Sequence, residues 1–247
     1  MTVKFSTRFV DASFPDDCSA ESNVNFNVPL PSSLETPRIN LTPFIPSVHG
    51  ELFFSAFEIA PELGQYLPIA FPSYPEFLSF FEEYIRSDDG GVLFAIIDKT
   101  KGGDGDLKTQ LAGIIGILNC SPRNRAAEIG PVIVLPAFQR TFVSTNAIGA
   151  ILKYLLDVPS EGGLGFRRVA WTANPDNQSS IKAAERMGFK KEGTMRWTWC
   201  LPAGNVGKES GKERGGALGR DSVLLAICWD DWEDGGKENV ERMIQRT

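Results

Sequence analysis

The segment Gln139–Asn146, QRTFVSTN, combines an arginine and three hydroxyl side chains directly before a predicted helix. The first turn of a helix has backbone N–H groups without partners and the positive end of the helix dipole, so it suits a phosphate. Phosphate-binding turns usually contain glycine, and this segment has none. The residues therefore fit either an anion-binding loop without glycine or an ordinary strand-to-helix connection capped by Ser144 or Thr145.

A second polar segment, NPDNQSSIKAAERMGFKKEG (174–193), contains an amphipathic helix. Either Asn177 or Ser179 can cap its start, and Gly188 can end it. On local features alone this is a packing helix, with Ser180 exposed in the first turn. Helical spacing places one group of side chains toward a sheet, namely Ile181, Ala184, Met187 and the less regularly placed Ala183.

Glu128 lies within an apolar strand pattern, AAEIGPV. Burial raises the pKa of a carboxyl group toward the range of a general base, which makes Glu128 a candidate for proton abstraction. The alternative is an ion pair with a nearby arginine: Arg123, Arg125 or Arg167. His49 is the only histidine, and a lone histidine is more often a surface or capping residue than a catalytic one.

The composition excludes several classes of protein. A net charge of −6 and a pI near 5.0 argue against a nucleic-acid binder. The cysteines form no CxxC pair, so we expect no metal site and read all four as reduced core thiols: Cys18, Cys120, Cys200 and Cys228. No signal-peptide pattern or membrane-length apolar run is present, so the sequence predicts a cytoplasmic protein with no membrane partner.

The remaining pattern predicts the elements that position these residues. Residues 1–36 read as an irregular arm, either packed on the body or mobile, and 37–46 as a short edge strand. Helices are predicted over 47–61, 73–91, 144–156 and 174–188, and strands over 92–98, 111–120, 123–136, 167–173, 189–202 and 222–232, with loops at 99–110 and 203–221. Short connections between the middle strands favour an antiparallel meander with one parallel crossover, which gives one mixed α/β sheet with helices on both faces.

The two polar segments together resemble the GCN5-related N-acetyltransferase (GNAT) superfamily. The order is a strand, a Gln-Arg-x-x-x-Ser-Thr loop, a helix, a strand, Asn-x-x-Ser, a helix and x-Glu-Gly. AERMGFKKEG and MRW are similar to the RimJ/RimL-like branch, and the likeness covers roughly residues 38–232. Gln139 matches the family loop, whereas Phe142 and Ser144 stand where it has glycines.

The resemblance implies a single domain, residues 37–247, preceded by the arm 1–36. Its mostly antiparallel sheet would splay between the middle strands to hold acetyl-CoA. The strand ending near Leu135 would pair with the pantetheine arm, and the following helix would face the pyrophosphate. It assigns these residues to the coenzyme: Val132, Ile133, Val134, Gln139, Arg140, Thr141, Phe142, Val143, Ser144, Thr145 and Asn177.

The implied reaction is acetyl transfer to a primary amine by direct attack in a ternary complex. A backbone N–H of Val132 or Ile133 would polarise the thioester, and Ser180 would protonate the departing thiolate. Glu128 or a water would take the amine proton. The acceptor stays open between a small molecule and a peptide N-terminus, and the assembly between monomer and homodimer.

Two alternatives remain open from the sequence. One is a degenerate module that binds acyl-CoA or a partner without turnover, and the other is transfer to oxygen or of a longer acyl chain.

The aromatic residues Phe53, Phe57, Tyr66 and Phe71 are expected to line the acceptor pocket. Trp197 and Trp199 alternate in one strand and are expected in the core, while Asp221 is expected to be structural.

Overall fold

The computed structural model describes residues 24–103 and 106–246. Its strands are β1 (Leu34–Glu35), β2 (Ile39–Pro43), β3 (Val92–Asp98), β4 (Leu111–Ser121), β5 (Ala126–Val134), β6 (Arg168–Ala173), β7 (Lys190–Cys200) and β8 (Gly219–Cys228). Its α-helices are α1 (Glu51–Glu58), α2 (Tyr74–Phe80), α3 (Leu107–Gln110), α4 (Val143–Leu156), α5 (Gln178–Arg186), α6 (Trp229–Asp231) and α7 (Lys237–Gln245). A π-helical turn, Phe81–Arg86, extends α2.

The strands form one eight-stranded sheet in the order β1-β2-β3-β4-β5-β6-β8-β7. Only β5 and β6 pair in parallel, and all other neighbours are antiparallel. Every residue of β3 is buried, which requires cover on both faces of the sheet. The predicted fold class, a mixed and mostly antiparallel α/β sheet, is confirmed.

Chain connections decide which helices share a face. Strands β5, β6 and β7 run in the same direction, because β6 and β7 both lie antiparallel to β8. The crossovers through α4 and α5 advance in the same direction across the sheet, and such crossovers are right-handed. Both helices therefore lie on one face, which we call the crossover face. Helix α7 packs against α4, whereas α1 packs against α2 and β4 on the opposite face.

The aromatic residues expected around an acceptor pocket form core instead. Phe53, Phe57 and Phe71 are at most 8 % exposed. Their rings pack against one another and against Phe77, with centroids 5.4–5.8 Å apart. Only Tyr66 is half-buried. The predicted aromatic pocket is wrong for the three phenylalanines, because α1 and α2 need their apolar faces to cover the sheet.

Several other boundaries differ from the sequence prediction. Strand β2 is not an edge strand, since β1 pairs with its outer side. Strand β1 falls within the predicted arm. Of the two expected states, the described part of the arm takes the packed one, through apolar side chains such as Phe26 and Leu30. Helix α7 was not predicted, and β8 starts earlier and ends sooner than expected. The predicted loop 99–110 contains the short helix α3.

The prediction that Trp197 and Trp199 are core residues is wrong. They are 50 % and 42 % exposed. Between Met195 and Trp199, β7 has two more residues than the facing segment of β8, so a bulge turns this part of the strand outward. Asp221 stabilises the bulge by accepting from the Trp197 N–H (3.0 Å) and pairing with Lys208, which agrees with its expected structural role.

The cysteines differ in environment. Cys120 is buried, Cys228 is half-buried and Cys200 is exposed, and all three are free. The prediction of a core thiol is therefore wrong for Cys200, while Cys18 lies outside the described residues. Among the described residues, no helix has the length and apolar character needed to span a membrane.

His49 is buried in the π-helical turn Pro46–Gly50 that precedes α1. Its Nδ1 accepts a hydrogen bond from the Ile45 N–H at 3.0 Å, and its ring packs beside Phe44. Burial lowers the pKa of His49 to about 4. His49 is therefore neutral near pH 7 and acts as a local capping residue.

This burial predicts a loss of stability in mild acid. The unfolded chain binds a proton below about pH 6.5, whereas folded His49 does so only near pH 4, so the stabilisation present above pH 6.5 is lost as the pH falls. We expect the free energy of unfolding to drop by about 2 kcal/mol between pH 7 and 5. His49→Asn keeps an acceptor for Ile45 without the titration, so urea unfolding of this variant should show a much smaller drop. An equal drop in both proteins would contradict the assignment.

Candidate functional site

The sheet opens between β5 and β6. The two strands pair only at Ala126–Arg168, Ala127–Val169 and Glu128–Ala170. Beyond Glu128, β5 continues to Val134 in contact with β4 alone, while β6 continues to Ala173 in contact with β8. One side of residues 129–134 therefore has no neighbouring strand, as in the predicted splayed sheet.

Two amides of β5 point into this opening. Leu135 N–H donates to the Ala112 carbonyl at 2.9 Å. Hydrogen bonds alternate along an antiparallel strand, so the amide of Ile133 points to β4 and those of Val132 and Val134 point away from it. Of the two amides proposed for the thioester, the geometry therefore favours Val132. A bulge in the pairing of β4 with β5 precedes this stretch. It brings the Gly130 carbonyl so close to Gly116 that a Cβ at position 116 would lie 2.5 Å from the oxygen.

The connection from β5 to α4 reaches its turn without glycine. Phe142 adopts a right-handed helical conformation and Ser144 lies within α4, so neither position needs the positive φ that glycine allows. Arg140 takes that conformation instead, with φ 59°. Its exposed side chain forms no hydrogen bond or ion pair with any described residue. Gln139 Nε2 donates back to the Val134 carbonyl at 3.1 Å.

The first turn of α4 offers free amides at the end of the opening. Thr141 Oγ1 accepts from the Val143 N–H (3.3 Å) and donates to the Phe138 carbonyl (2.6 Å). The N-cap position is Phe142, which makes no side-chain capping bond, so Thr141 supports the turn from the residue before it. The alternative of a cap at Ser144 or Thr145 does not hold, because both residues lie within α4. The N–H groups of Ser144 and Thr145 have no acceptor within the described parts of the chain.

Asn146 fixes the start of α4. It is fully buried, accepts from Thr36 Oγ1 at 2.7 Å and donates to the Ile244 carbonyl at 3.4 Å. The guanidinium of Arg38 lies 4.2 Å from the centre of the Phe142 ring and donates to the same carbonyl. The turn between β1 and β2, together with α4 and α7, therefore holds the free amides in place.

Glu128 is half-buried at the point where the strands separate. Its carboxylate accepts from Thr172 Oγ1 on β6 and from Asn119 Nδ2 on β4. It belongs to none of the ion pairs formed by the described residues, so the expected partners Arg123, Arg125 and Arg167 are not used. Two neutral donors thus orient the carboxylate and leave its charge uncompensated.

Ser180 lies in the first turn of α5. Its Oγ accepts from the indole N–H of the buried Trp171 at 3.0 Å. The hydroxyl proton of Ser180 has no acceptor among the described residues. Asn177 caps the helix by accepting from the Ser180 N–H at 3.1 Å and from Ser179 Oγ at 2.8 Å. At the other end, Gly188 has φ 100° and stops the helix as predicted.

Glu128 and Ser180 approach the opening from opposite faces. Glu128 pairs with Ala170, so both side chains lie on one face. Trp171, the next residue along β6, points to the other face, which is the crossover face, and it contacts Ser180 there. A molecule lying in the opening would have the carboxylate on one side and the hydroxyl on the other.

Residues 38–190 match the family profile of the acetyltransferase (GNAT) domain, which is well over half of the chain. The chain belongs to the GNAT acetyltransferase family. A curated relative, the uncharacterized N-acetyltransferase YoaA of Bacillus subtilis (strain 168), is 31 % identical over 87 residues, 35 % of this chain. The chain spans only 46 % of that relative.

Solved structures agree with the GNAT fold. A GCN5-related N-acetyltransferase from Brucella melitensis superposes with a TM-score of 0.69 and 26 % identity, over 87 % of this chain and 86 % of that one. Mycobacterium smegmatis RimJ in complex with CoA-disulfide superposes with a TM-score of 0.59 and 18 % identity, over 83 % of this chain and 88 % of that one. The family profile matched by residues 38–190 is the RimJ/RimL-like one, so the resemblance to that branch is confirmed.

Sequence reasoning missed Asn146 and Trp171 of this GNAT site, which hold the free amides and Ser180 in place. It assigned Thr141 to the coenzyme, whereas the Thr141 hydroxyl bonds within the turn. Asn146 ends the marked loop segment, and Trp171 lies in β6, before the second one. A signal existed only for Asn146, because a polar residue on the apolar face of a helix needs a buried partner. The partners of Glu128, Thr172 and Asn119, depend on strand register, which the sequence pattern does not define.

Proposed function

We propose that this chain transfers the acetyl group of acetyl-CoA to a primary amine. The observation that carries the proposal is the opening beyond Glu128. It presents the Val132 and Val134 amides along one strand and the free Ser144 and Thr145 amides at the helix that follows. A pantetheine arm paired to β5 would lead its pyrophosphate to the first turn of α4.

Asn177 and the loop residues would complete the coenzyme site. The hydroxyls of Ser144 and Thr145 are free to donate to phosphate oxygens, and Arg140 adds an exposed positive charge. Val143 contributes less, since its amide already has Thr141 as a partner. Phe142 supports the turn through Arg38. These residues suit the pyrophosphate of the coenzyme, bound mainly through backbone amides.

The two faces of the opening suit direct transfer. The amine nitrogen attacks the thioester carbon from the Glu128 face, forming the C–N bond as the C–S bond breaks. Glu128 accepts the proton released by the amine, directly or through a water, and the Val132 N–H stabilises the oxyanion. The CoA thiolate departs on the crossover face, where the Ser180 hydroxyl donates to it. The acceptor is a small amine or a peptide N-terminus.

A catalytically degenerate acyl-CoA binder is the second candidate. The missing glycines that suggest it have a structural replacement here, since Arg140 supplies the positive φ. Calorimetric titration with acetyl-CoA tests the first step, and absence of binding would exclude both candidates. Release of free thiol across a panel of peptides, polyamines, amino acids and aromatic amines then separates an enzyme from a binder. A series of acyl-CoA chain lengths tests acetyl selectivity.

The loop makes a sharp prediction about coenzyme affinity. Ser144→Pro removes one N–H from a first-turn position that tolerates proline, and we expect acetyl-CoA affinity to fall by about 30-fold or more. Ser144→Ala keeps the N–H and removes only the hydroxyl, and Arg140→Ala removes only the exposed charge. Each of these two substitutions should lower acetyl-CoA affinity by about 5-fold or less, as measured by calorimetry. The opposite ranking, with unchanged thermal midpoints, would refute amide-based binding.

A second prediction concerns the reacting groups. Glu128→Gln retains an acceptor for Thr172 and Asn119 but cannot take a proton, so kcat/KM should fall about 100-fold. Ser180→Ala should lower kcat about 10-fold with little change in acetyl-CoA affinity. Thr172→Val serves as a control that disturbs only the orientation of Glu128 and should have an intermediate effect. A Glu128→Gln enzyme within about 3-fold of the wild type would exclude Glu128 as the base.

Direct transfer also predicts the absence of a covalent intermediate. Burial raises the pKa of the Cys120 thiol to about 11, so it is not a thiolate near pH 7. Intact-protein mass spectrometry after incubation with acetyl-CoA and no acceptor should show an unmodified chain. A stoichiometric acetyl adduct that an added amine discharges would establish a two-step route instead.

A further inference from the structure

Arg220 is an unusual buried charge. It lies near the start of β8, is 7 % exposed, and its Nε and Nη1 atoms are fully buried without a hydrogen-bond partner. It takes part in none of the ion pairs formed by the described residues. Burial lowers the pKa of its guanidinium, but arginine retains its proton in proteins. A buried, unpaired charge is costly and needs a reason.

Nearby acidic groups do not supply that partner. Asp221, the next residue, points to the other face of β8, where it binds the Trp197 amide and Lys208. Ser222, two residues away on the same face as Arg220, accepts from Thr198 Oγ1 at 3.0 Å. The environment of Arg220 therefore desolvates the charge without neutralising it.

Strand register places Arg220 on the Glu128 face. Thr172 pairs with Leu224 and donates to Glu128, so Leu224 lies on that face. Side chains alternate along a strand, which puts Ser222 and then Arg220 on the same face. This face is opposite to the crossover face, where α4 begins and Ser180 lies. The guanidinium is therefore directed to the side from which the amine would arrive.

The level of Arg220 along the sheet matches the opening. Glu128, Ala170 and Ala226 form one row across β5, β6 and β8. Strands β5 and β8 run in opposite directions. Six residues from this row toward the opening, β5 therefore reaches Val134 and β8 reaches Arg220. The two strands are about 10 Å apart where they are paired through β6, and farther apart in the opening. Arg220 thus lies across the opening from the free edge of β5.

The position of Arg220 is closed to bulk solvent. Arg220 pairs with Trp199 of β7 within the sheet, and its side chain is 7 % exposed. Low local dielectric at such a site strengthens the attraction of the guanidinium for an anion.

We infer that Arg220 binds a carboxylate of the acceptor, so that the preferred acceptors are amines that also carry a carboxylate, such as free amino acids. A guanidinium offers paired donors that match a carboxylate, and one positive charge balances one negative charge. This inference rests on the proposed acetyl transfer, and it names the class of acceptor within it. A site of this kind rejects analogues that leave the buried charge unpaired.

The test compares free amino acids with the matched amino acid amides in the thiol-release assay. The wild type should favour the acids by about 30-fold or more in kcat/KM. Arg220→Met should remove that preference while leaving the rate with amides within about 3-fold, and Arg220→Lys should keep part of it. Arg196→Met changes an exposed arginine on β7 and should behave as the wild type. Equal rates for acids and amides in the wild type would overturn the inference.

A second measurement does not need turnover. N-acetyl amino acids should raise the thermal midpoint of the wild type but not that of Arg220→Met. The unliganded variant should itself melt about 2 °C or more above the wild type, because it loses an unpaired buried charge. A lower midpoint with equal losses on all acceptors would make Arg220 structural, and weaker acetyl-CoA binding would assign it to the coenzyme. If no amine releases thiol, the proposed function fails, while the midpoint shifts still decide the role of Arg220.

Discussion

The separation of β5 from β6 after three paired residues is the constraint on which the rest of the site depends. Backbone groups that would complete a sheet are left without a strand partner, and an unpaired backbone group near the core needs another partner. The bulge of β5 and the glycine at position 116 that accommodates it belong to the same arrangement. The contacts of Asn146 and Arg38 that fix the start of α4 belong to it as well, because they hold the free amides of α4 at the end of this opening.

The divergence also separates chemical tasks. The crossover face holds α4, α5, Trp171 and Ser180, which all serve the coenzyme in the proposed reaction. The opposite face holds Glu128, its two neutral donors and the buried Arg220, which would serve the amine in that reaction. The two substrates would thus meet at the sheet rather than within a pocket on one side of it.

Much of this could be predicted from the sequence, and the limits have physical causes. Apolar periodicity and caps gave the main helices, while the motifs around Asn177 and Gln139 indicated the family. Pattern could not reveal that Phe53 and its neighbours are core, because an aromatic residue suits a core and a pocket equally well. It also failed for Trp197, where a bulge breaks the alternation that pattern reading assumes. Arg220 gave no signal at all, since its burial depends on strands that meet only in the folded chain.

The long-range hydrogen bond of Asn146 has a consequence for the order in which the protein is synthesised and folded. The residue at the start of α4 bonds the Ile244 carbonyl, 98 residues later in the chain. At ordinary rates of translation, that interval takes about 5 to 20 s. During this time the start of α4 lacks the contact that fixes it. In the proposed reaction, acetyl-CoA would therefore meet the free amides of α4 in their final place only after α7 has been made.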